Sequence, residues 1–347
     1  MFDIIDYKAD KKNDWDVFVR NSINSTFLFL RDYMDYHSYR FHDASLMIYR
    51  KGKLFALLPA NIDNDVLYSH QGLTYGGLLI DKKATTAEIV DLWGVMNEYM
   101  RGKGITRIVY KPIPFIFQQI PAQEDLYALF RCTNARIIGR NMSATIYQDN
   151  KIKFIESRKS GMRKALANGI QVRLSDDWDL FWKILDDNLK NKYGAAPVHT
   201  LEEILILKDK FPKNIKLYMA YHEGKAVGGT VLYITQRVVH TQYISASLEG
   251  KEMGALDMLF DYLINQEYSN FPIFDFGTSN ENMGKVLNEA LIFQKEGFGG
   301  RGVACDIYEY ELEYCNKDDV LNRKTHVGGG RFLTNYMHAS FNYGRAC

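Results

Sequence analysis

The chain has 347 residues, 46% hydrophobic and 24% charged, a length suited to two globular cores. A net charge of +1 argues against a globally basic nucleic-acid binder. The start, "MFDIIDYKADKKNDWD", reads as neither a signal nor a transit peptide, and no apolar run reaches the roughly 18 residues of a membrane span. Cys132, Cys305, Cys315 and Cys347 show no metal-ligand spacing, so reduced thiols, a cytoplasmic setting and no metal are expected.

In chain order, "NDWDVF" at 13–18 opens a helix, with Asp14 suited to cap it. "FLRDYMDYHSYRFHD" follows, offering Arg31, Tyr36, His37 and Arg40. "LMIYRKGKLFALLP" at 46–59 reads as a hairpin turning at Lys51-Gly52. "VLYSHQGLTYGGLLI" at 66–80 reads as a third strand, with His70, Gln71 and Tyr75 beside three glycines and facing a cleft. An amphipathic helix at 86–104 and a buried strand at 106–112 come next, then a helix and a strand within 124–148.

The pattern then returns. A basic helix over 156–168 ends at Gly169, with Lys159 and Arg163 four residues apart and therefore on one face. Six basic residues and one acid lie between Lys151 and Lys164, a local net of +5 that suits an anionic partner. "DDWDLF" at 176–181 echoes "NDWDVF", with Asp177 in the capping place. A hairpin at 217–232, a strand at 238–250, a helix at 251–268 and a strand at 272–277 repeat the earlier order. The strand at 272–277 carries Asp275 among aromatics. A buried acid needs partners, so Asp275 orients its neighbours or acts as a general base. Ser279, Asn280 and Glu281 read as an N-cap for the next helix. "KEGFGG", from Lys295 to Gly300, reads as a loop whose glycines admit a ligand to the backbone. Lys295 suits a phosphate or carboxylate there, and is expected to be exposed.

The doubled order and the motifs "SRKSGMRKALANGIQV", "AYHEGKAVGGTVLYI", "GALDMLFDYLI", "FDFGTSNE" and "FQKEGFGG" resemble the Fem peptidyltransferases and their BioF2-like acetyltransferase relatives. The resemblance spans about residues 10–312. It implies an α/β protein of two tandem GNAT-like domains with mixed sheets and a cleft between them. The boundaries expected are 1–150, 151–313 and a weakly structured tail, 314–347. It further implies an acyltransferase acting on an amine of a cell-envelope precursor, an amino sugar or a peptidoglycan peptide. The donor is acyl-CoA such as acetyl-CoA, with aminoacyl-tRNA as the alternative. A non-catalytic module that binds nucleotide-sugars or glycans is the other alternative.

On this reading Lys295 and Asp275 are catalytic. Lys251, Gly254, Ala255, Phe298 and Gly299 bind the donor. Arg31, His37, His70, Tyr75, Lys159 and Arg163 bind the acceptor or its phosphates. "GKEMGALDMLF" stands in the place of the GNAT pyrophosphate loop. There Lys251, Gly254 and Leu256 fill the pattern, so its final small residue is missing, and Glu249 and Glu252 repel a pyrophosphate.

Overall fold

Alternating apolar runs and charged Gly turns build the strands, and amphipathic stretches build the helices between them. In the computed structural model the described residues are 1–194 and 196–312, without the side chains of residues 192 and 193. The expected tail, 314–347, lies outside them. Residues 1–312 form one compact unit.

The first half runs β1 (Phe2–Asp6), α1 (Lys12–Asn21), α2 (Arg31–Met34), β2 (His42–Asp43), β3 (Leu46–Arg50), β4 (Lys53–Leu58), β5 (Asn61–Asp63), β6 (Val66–Tyr68), β7 (Leu79–Ile80), α3 (Thr86–Gly102), β8 (Arg107–Tyr110), α4 (Glu124–Cys132) and β9 (Arg136–Tyr147). The second half runs α5 (Glu156–Ala167), β10 (Gln171–Ser175), α6 (Trp178–Tyr193), α7 (Leu201–Lys210), β11 (Ile215–His222), β12 (Lys225–Ile234), β13 (Val238–Ala246), α8 (Leu248–Met253), α9 (Ala255–Tyr262), β14 (Ile273–Thr278), β15 (Asn280–Glu281), β16 (Val286–Leu287), α10 (Glu289–Gly297) and β17 (Arg301–Glu311). The helix, hairpin, strand, helix and strand read from the repeat occur in this order twice.

One eleven-stranded sheet runs β10-β11-β12-β13-β14-β9-β17-β8-β6-β5-β2, and a four-stranded sheet runs β1-β3-β4-β7. The halves exchange their last strands. β9, from the first half, pairs with β14 of the second. β17, from the second half, pairs with β8 of the first. β9 and β17 also pair with each other along most of their length. The sheet is therefore continuous across the position 150/151 at which the repeat divides.

The cores follow the same exchange. Tyr308 and Tyr310 of β17 pack with Trp93, Met96 and Ile108 of the first half, while Ala144 and Ile146 of β9 pack with Phe260, Phe274 and Phe276 of the second. A third core joins Phe27 and Tyr33 to Phe211 and Tyr233. Burying a side chain of this size stabilises by roughly 1.5–3 kcal/mol.

Four local expectations are corrected. Residues 66–80 are two short strands in different sheets, joined by a loop that pairs Gly76 N–H with the Lys111 carbonyl and packs Gly76 on Ser69. The helix expected over 251–268 breaks at Gly254, which adopts φ +77°, and its end, Leu263–Glu267, is a π-helical turn. Asp14 lies in the first turn of α1 rather than at its cap, and the Asp177 carboxylate caps no N–H but accepts from Tyr221. Asn280 and Glu281 form β15, and α10 is capped instead by Asn288, whose side chain accepts from Leu291 N–H (3.1 Å).

Candidate active site

β13 and β14 are parallel neighbours only from Val238/Ile273 to His240/Asp275. Beyond that point they diverge, and a cleft of about 540 Å³ opens between the halves. Tyr75, Lys111, Ile116 and Phe117 of the first half line it, as do His240, Gln242, Ile244, Asp275, Gly277, Lys295 and Cys305 of the second. Asn141 and Ser143 of the exchanged strand β9 complete the wall.

Asp275 is buried at the base of the cleft and fully occupied. Its Oδ1 accepts from Ser143 Oγ and Thr145 Oγ1, each at 2.6 Å. Its Oδ2 lies 2.7 Å from His240 Nδ1 and accepts from Gly277 N–H at 3.2 Å. Burial raises its pKa, but the bond and charge of His240 and the two hydroxyls outweigh this and hold the carboxyl below its usual range. An ionised Asp275 fixes Nδ1 of His240 as the protonated nitrogen. In the neutral ring the other nitrogen, Nε2, is a proton acceptor on a side chain that lines the cleft.

Gly277 makes this arrangement feasible. The β14–β9 register slips between Asp275 and Thr278, and Gly277 takes φ +70° inside that bulge. A Cβ there would come within 3.0 Å of the His240 ring. The bulge turns two carbonyls, Gly277 O and Thr278 O, toward Lys295 Nζ, at 2.9 and 2.8 Å.

Lys295 therefore corrects its expected setting. It sits in the last turn of α10 rather than in a loop, and only 4% of it is exposed. Burial pushes its ammonium down to about 8, against the opposing pull of Asp275. Cys305 shares the cleft, but burial pushes its thiol up to about 12, so it stays protonated and weakly nucleophilic.

Of the residues marked in the sequence, the cleft brings together Asp275, Lys295 and Tyr75. Tyr75 is buried and its hydroxyl bonds Thr26 Oγ1 at 3.1 Å. His70 and Gln71, expected beside it, do not line the cleft. His70 is buried with φ +74°, next to the His37 ring, and Gln71 bonds Asn61. Arg31 is buried over the Tyr7 ring and paired with Asp35 (2.5 Å) and Asp43 (2.6 Å), so its charge is already met. On α5, Lys159 is half-buried and the exposed Arg163 pairs with Glu156 at 2.5 Å.

The residues marked for the donor also lie off the cleft lining. Lys251 Nζ donates to Asn188 Oδ1 at 2.6 Å, and Ala255 is buried. Gly254, at the start of α9, is covered by α5: a Cβ on Gly254 would meet the Gly161 carbonyl oxygen at 2.3 Å. Arg158 of α5 pairs with Asp257 in the first turn of α9 at 2.8 Å. Phe298 is buried against Phe154, Phe260 and Phe276. Gly299 takes φ +90° against Ile152.

Sequence reasoning missed His240, Ser143, Thr145, Asn141 and Lys111. The signal for His240 was the alternation of polar residues in "VVHTQYISA", where a strand's period of two sets His240 and Gln242 on one face. Nothing local marked Ser143 and Thr145, because they reach Asp275 only through strand exchange. Among the described residues no group of three His, Cys, Asp or Glu side chains could hold a metal ion, and no helix is long and apolar enough to cross a membrane.

The chain has the fold of FemX. The FemX structure superposes with a TM-score of 0.63 at 12% identity, covering 92% of this chain and 99% of FemX. L-PGS from Bacillus licheniformis gives 0.58 at 12% identity, over 94% and 98% of the two chains. A conserved protein of unknown function from Bacteroides thetaiotaomicron gives 0.60 at 10% identity, over 90% and 100%. No family model and no curated protein sequence matches the chain. The likeness to FemX lies in the fold, and at these identities it does not extend to a substrate.

Proposed function

We propose that this protein is a cytoplasmic acyltransferase that joins an acyl group to an amine of a cell-envelope precursor, an amino sugar or a peptidoglycan peptide. The single observation that carries the reading is the His240–Asp275 pair at the point where β13 and β14 part. The FemX-like fold supports the reaction class. In the reaction the amine nitrogen attacks the acyl carbonyl carbon, and His240 Nε2 takes the proton the nitrogen releases. Asp275 is a positioning residue, since all its bonds go to neighbours. The carbonyl oxygen gains charge as the carbon–nitrogen bond forms. The Lys295 ammonium and the backbone N–H groups freed by the strand divergence stabilise that charge. Collapse expels the donor's thiolate or alkoxide, which takes that proton from His240 Nε2 and leaves as the thiol or alcohol. Holding both substrates in the cleft supplies much of the acceleration.

The donor was expected to be acyl-CoA, with its pyrophosphate on the first turn of α9. The contact of Gly161 with Gly254 covers that turn, and Arg158 is already paired with Asp257. In the first half the start of α3 is closed by the Thr85–Glu88 capping box. Both observations favour a donor held elsewhere, such as aminoacyl-tRNA. The test offers labelled acetyl-CoA and labelled aminoacyl-tRNA, each with UDP-amino sugars and peptidoglycan peptides, to the wild type and to His240→Ala. Transfer by the wild type alone is expected. No transfer from either donor, with retained glycan binding, would replace this reading with the binding module.

A further inference from the structure

Lys111 lies directly after β8 and lines the cleft from the first half. Its backbone is pinned: the N–H donates to Ser69 Oγ at 2.7 Å, and the carbonyl accepts from Gly76 N–H at 3.0 Å. Pro112 fixes the chain beyond it. The ammonium donates to the Leu73 carbonyl at 2.5 Å. An ammonium has three donors, so two remain.

Among the described residues no carboxylate pairs with Lys111 or with Lys295. Both acids that line the cleft are already engaged. Asp275 takes four donors from His240, Ser143, Thr145 and Gly277. Asp306 is bound by Arg140 through two bonds, at 2.5 and 2.9 Å, and accepts from the Tyr308 hydroxyl. Two ammonium groups, one from each half, thus share a partly apolar cleft with no free counter-charge among the described residues. Burial pushes Lys111 down to about 8, the cost of holding a cation there unpaired. A buried charge of this kind is stabilised when a ligand brings the opposite charge.

We propose that Lys111 is a specificity-determining residue, the seat for an anionic oxygen group, a carboxylate or a phosphate, carried by the substrate that enters the cleft. The assignment of that substrate as acyl acceptor rests on the acyl-transfer reading; the anion site itself requires no turnover. Anchoring the anion to the first half leaves the rest of the substrate to reach His240 and Lys295 on the second. A substrate lacking the anion would forfeit a charge-assisted bond to a desolvated lysine.

The experiment reads binding without catalysis. At pH 8 the wild-type protein is treated briefly with acetic anhydride, alone or with inorganic phosphate or acetate, and each lysine's modification is read by mass spectrometry. Lys111 should react and be protected by phosphate, by acetate or by both, which also separates the two sources. Exposed Lys183 should show no protection. Titration of the same anions into Lys111→Met should give affinity about tenfold or more below wild type, with Lys111→Arg between them and Lys183→Met unchanged. Equal protection of Lys111 and Lys183, or unaltered affinity in Lys111→Met, would overturn the proposal. Anion protection in a protein that transfers no acyl group would keep the site and discard the acyl-transfer reading.

Discussion

Gly161 of α5 and Gly254 at the start of α9 meet backbone to backbone. A Cβ on Gly254 would lie 2.3 Å from the Gly161 carbonyl oxygen, and a Cβ on Gly161 would lie 2.0 Å from Asp257 Oδ2. The basic helix α5 and the helix α9 are thus locked together by two glycines, with the Arg158–Asp257 pair beside them.

Gly161→Ala should therefore destabilise the fold by about 1–3 kcal/mol, since the new Cβ displaces the Asp257 carboxylate from its place beside Arg158. Gly254→Ala adds the strain of a positive φ to the same clash. Denaturant unfolding of both variants checks this. Wild-type stability in Gly161→Ala would mean that α5 is loosely attached and that the α9 terminus is open to a phosphate.

Asp275→Asn should lower kcat by about 10²–10⁴, because an amide can donate to His240 Nδ1 and leave the proton on Nε2. His240→Ala should fall at least as far, and the double variant little further, since the two act as one unit. Additive losses in the double variant would show that Asp275 acts independently of His240.

Lys295→Met should affect both folding and activity. It leaves the Gly277 and Thr278 carbonyls without their donor, at a cost of about 1–3 kcal/mol. It also removes the cation from the cleft, so turnover should drop by about 10²-fold or more. Thermal melts and steady-state rates measured on the same sample separate the two effects. A variant with wild-type melting and near-normal kcat/KM would remove Lys295 from the mechanism.

Acid should unfold this protein through its buried histidines. His37, His70 and His199 form a cluster with Tyr36, and burial lowers all three, His70 to about 3 and His199 to about 4. Below its ordinary pKa of about 6.5 each histidine binds a proton more readily unfolded than folded. Their contribution is thus complete above pH ~6.5 and is lost as pH falls toward 4. Urea midpoints measured from pH 7 to 4 should decline, and His70→Gln should flatten the decline. A flat profile in the wild type would show that the cluster hydrates readily.

Sequence periodicity by itself determined the doubled order of helix, hairpin, strand, helix and strand, because period and turn chemistry are local properties of the chain. It also marked Asp275, since an acid inside an apolar strand must find partners wherever that strand goes. Lys295 was marked, but its setting was not: glycines suggested a loop, and only packing against the Gly277 bulge buried the lysine in a helix end. The partners of Asp275 were decided by tertiary structure alone. Ser143 and Thr145 reach it because β9 crosses into the second half, a pairing at more than 100 residues' separation that no local pattern encodes. Lys111 looked like an ordinary strand-end lysine until the fold placed it in a cleft whose acids were already engaged. Charge compensation depends on which groups meet in space, and the exchange of β9 and β17 settles that.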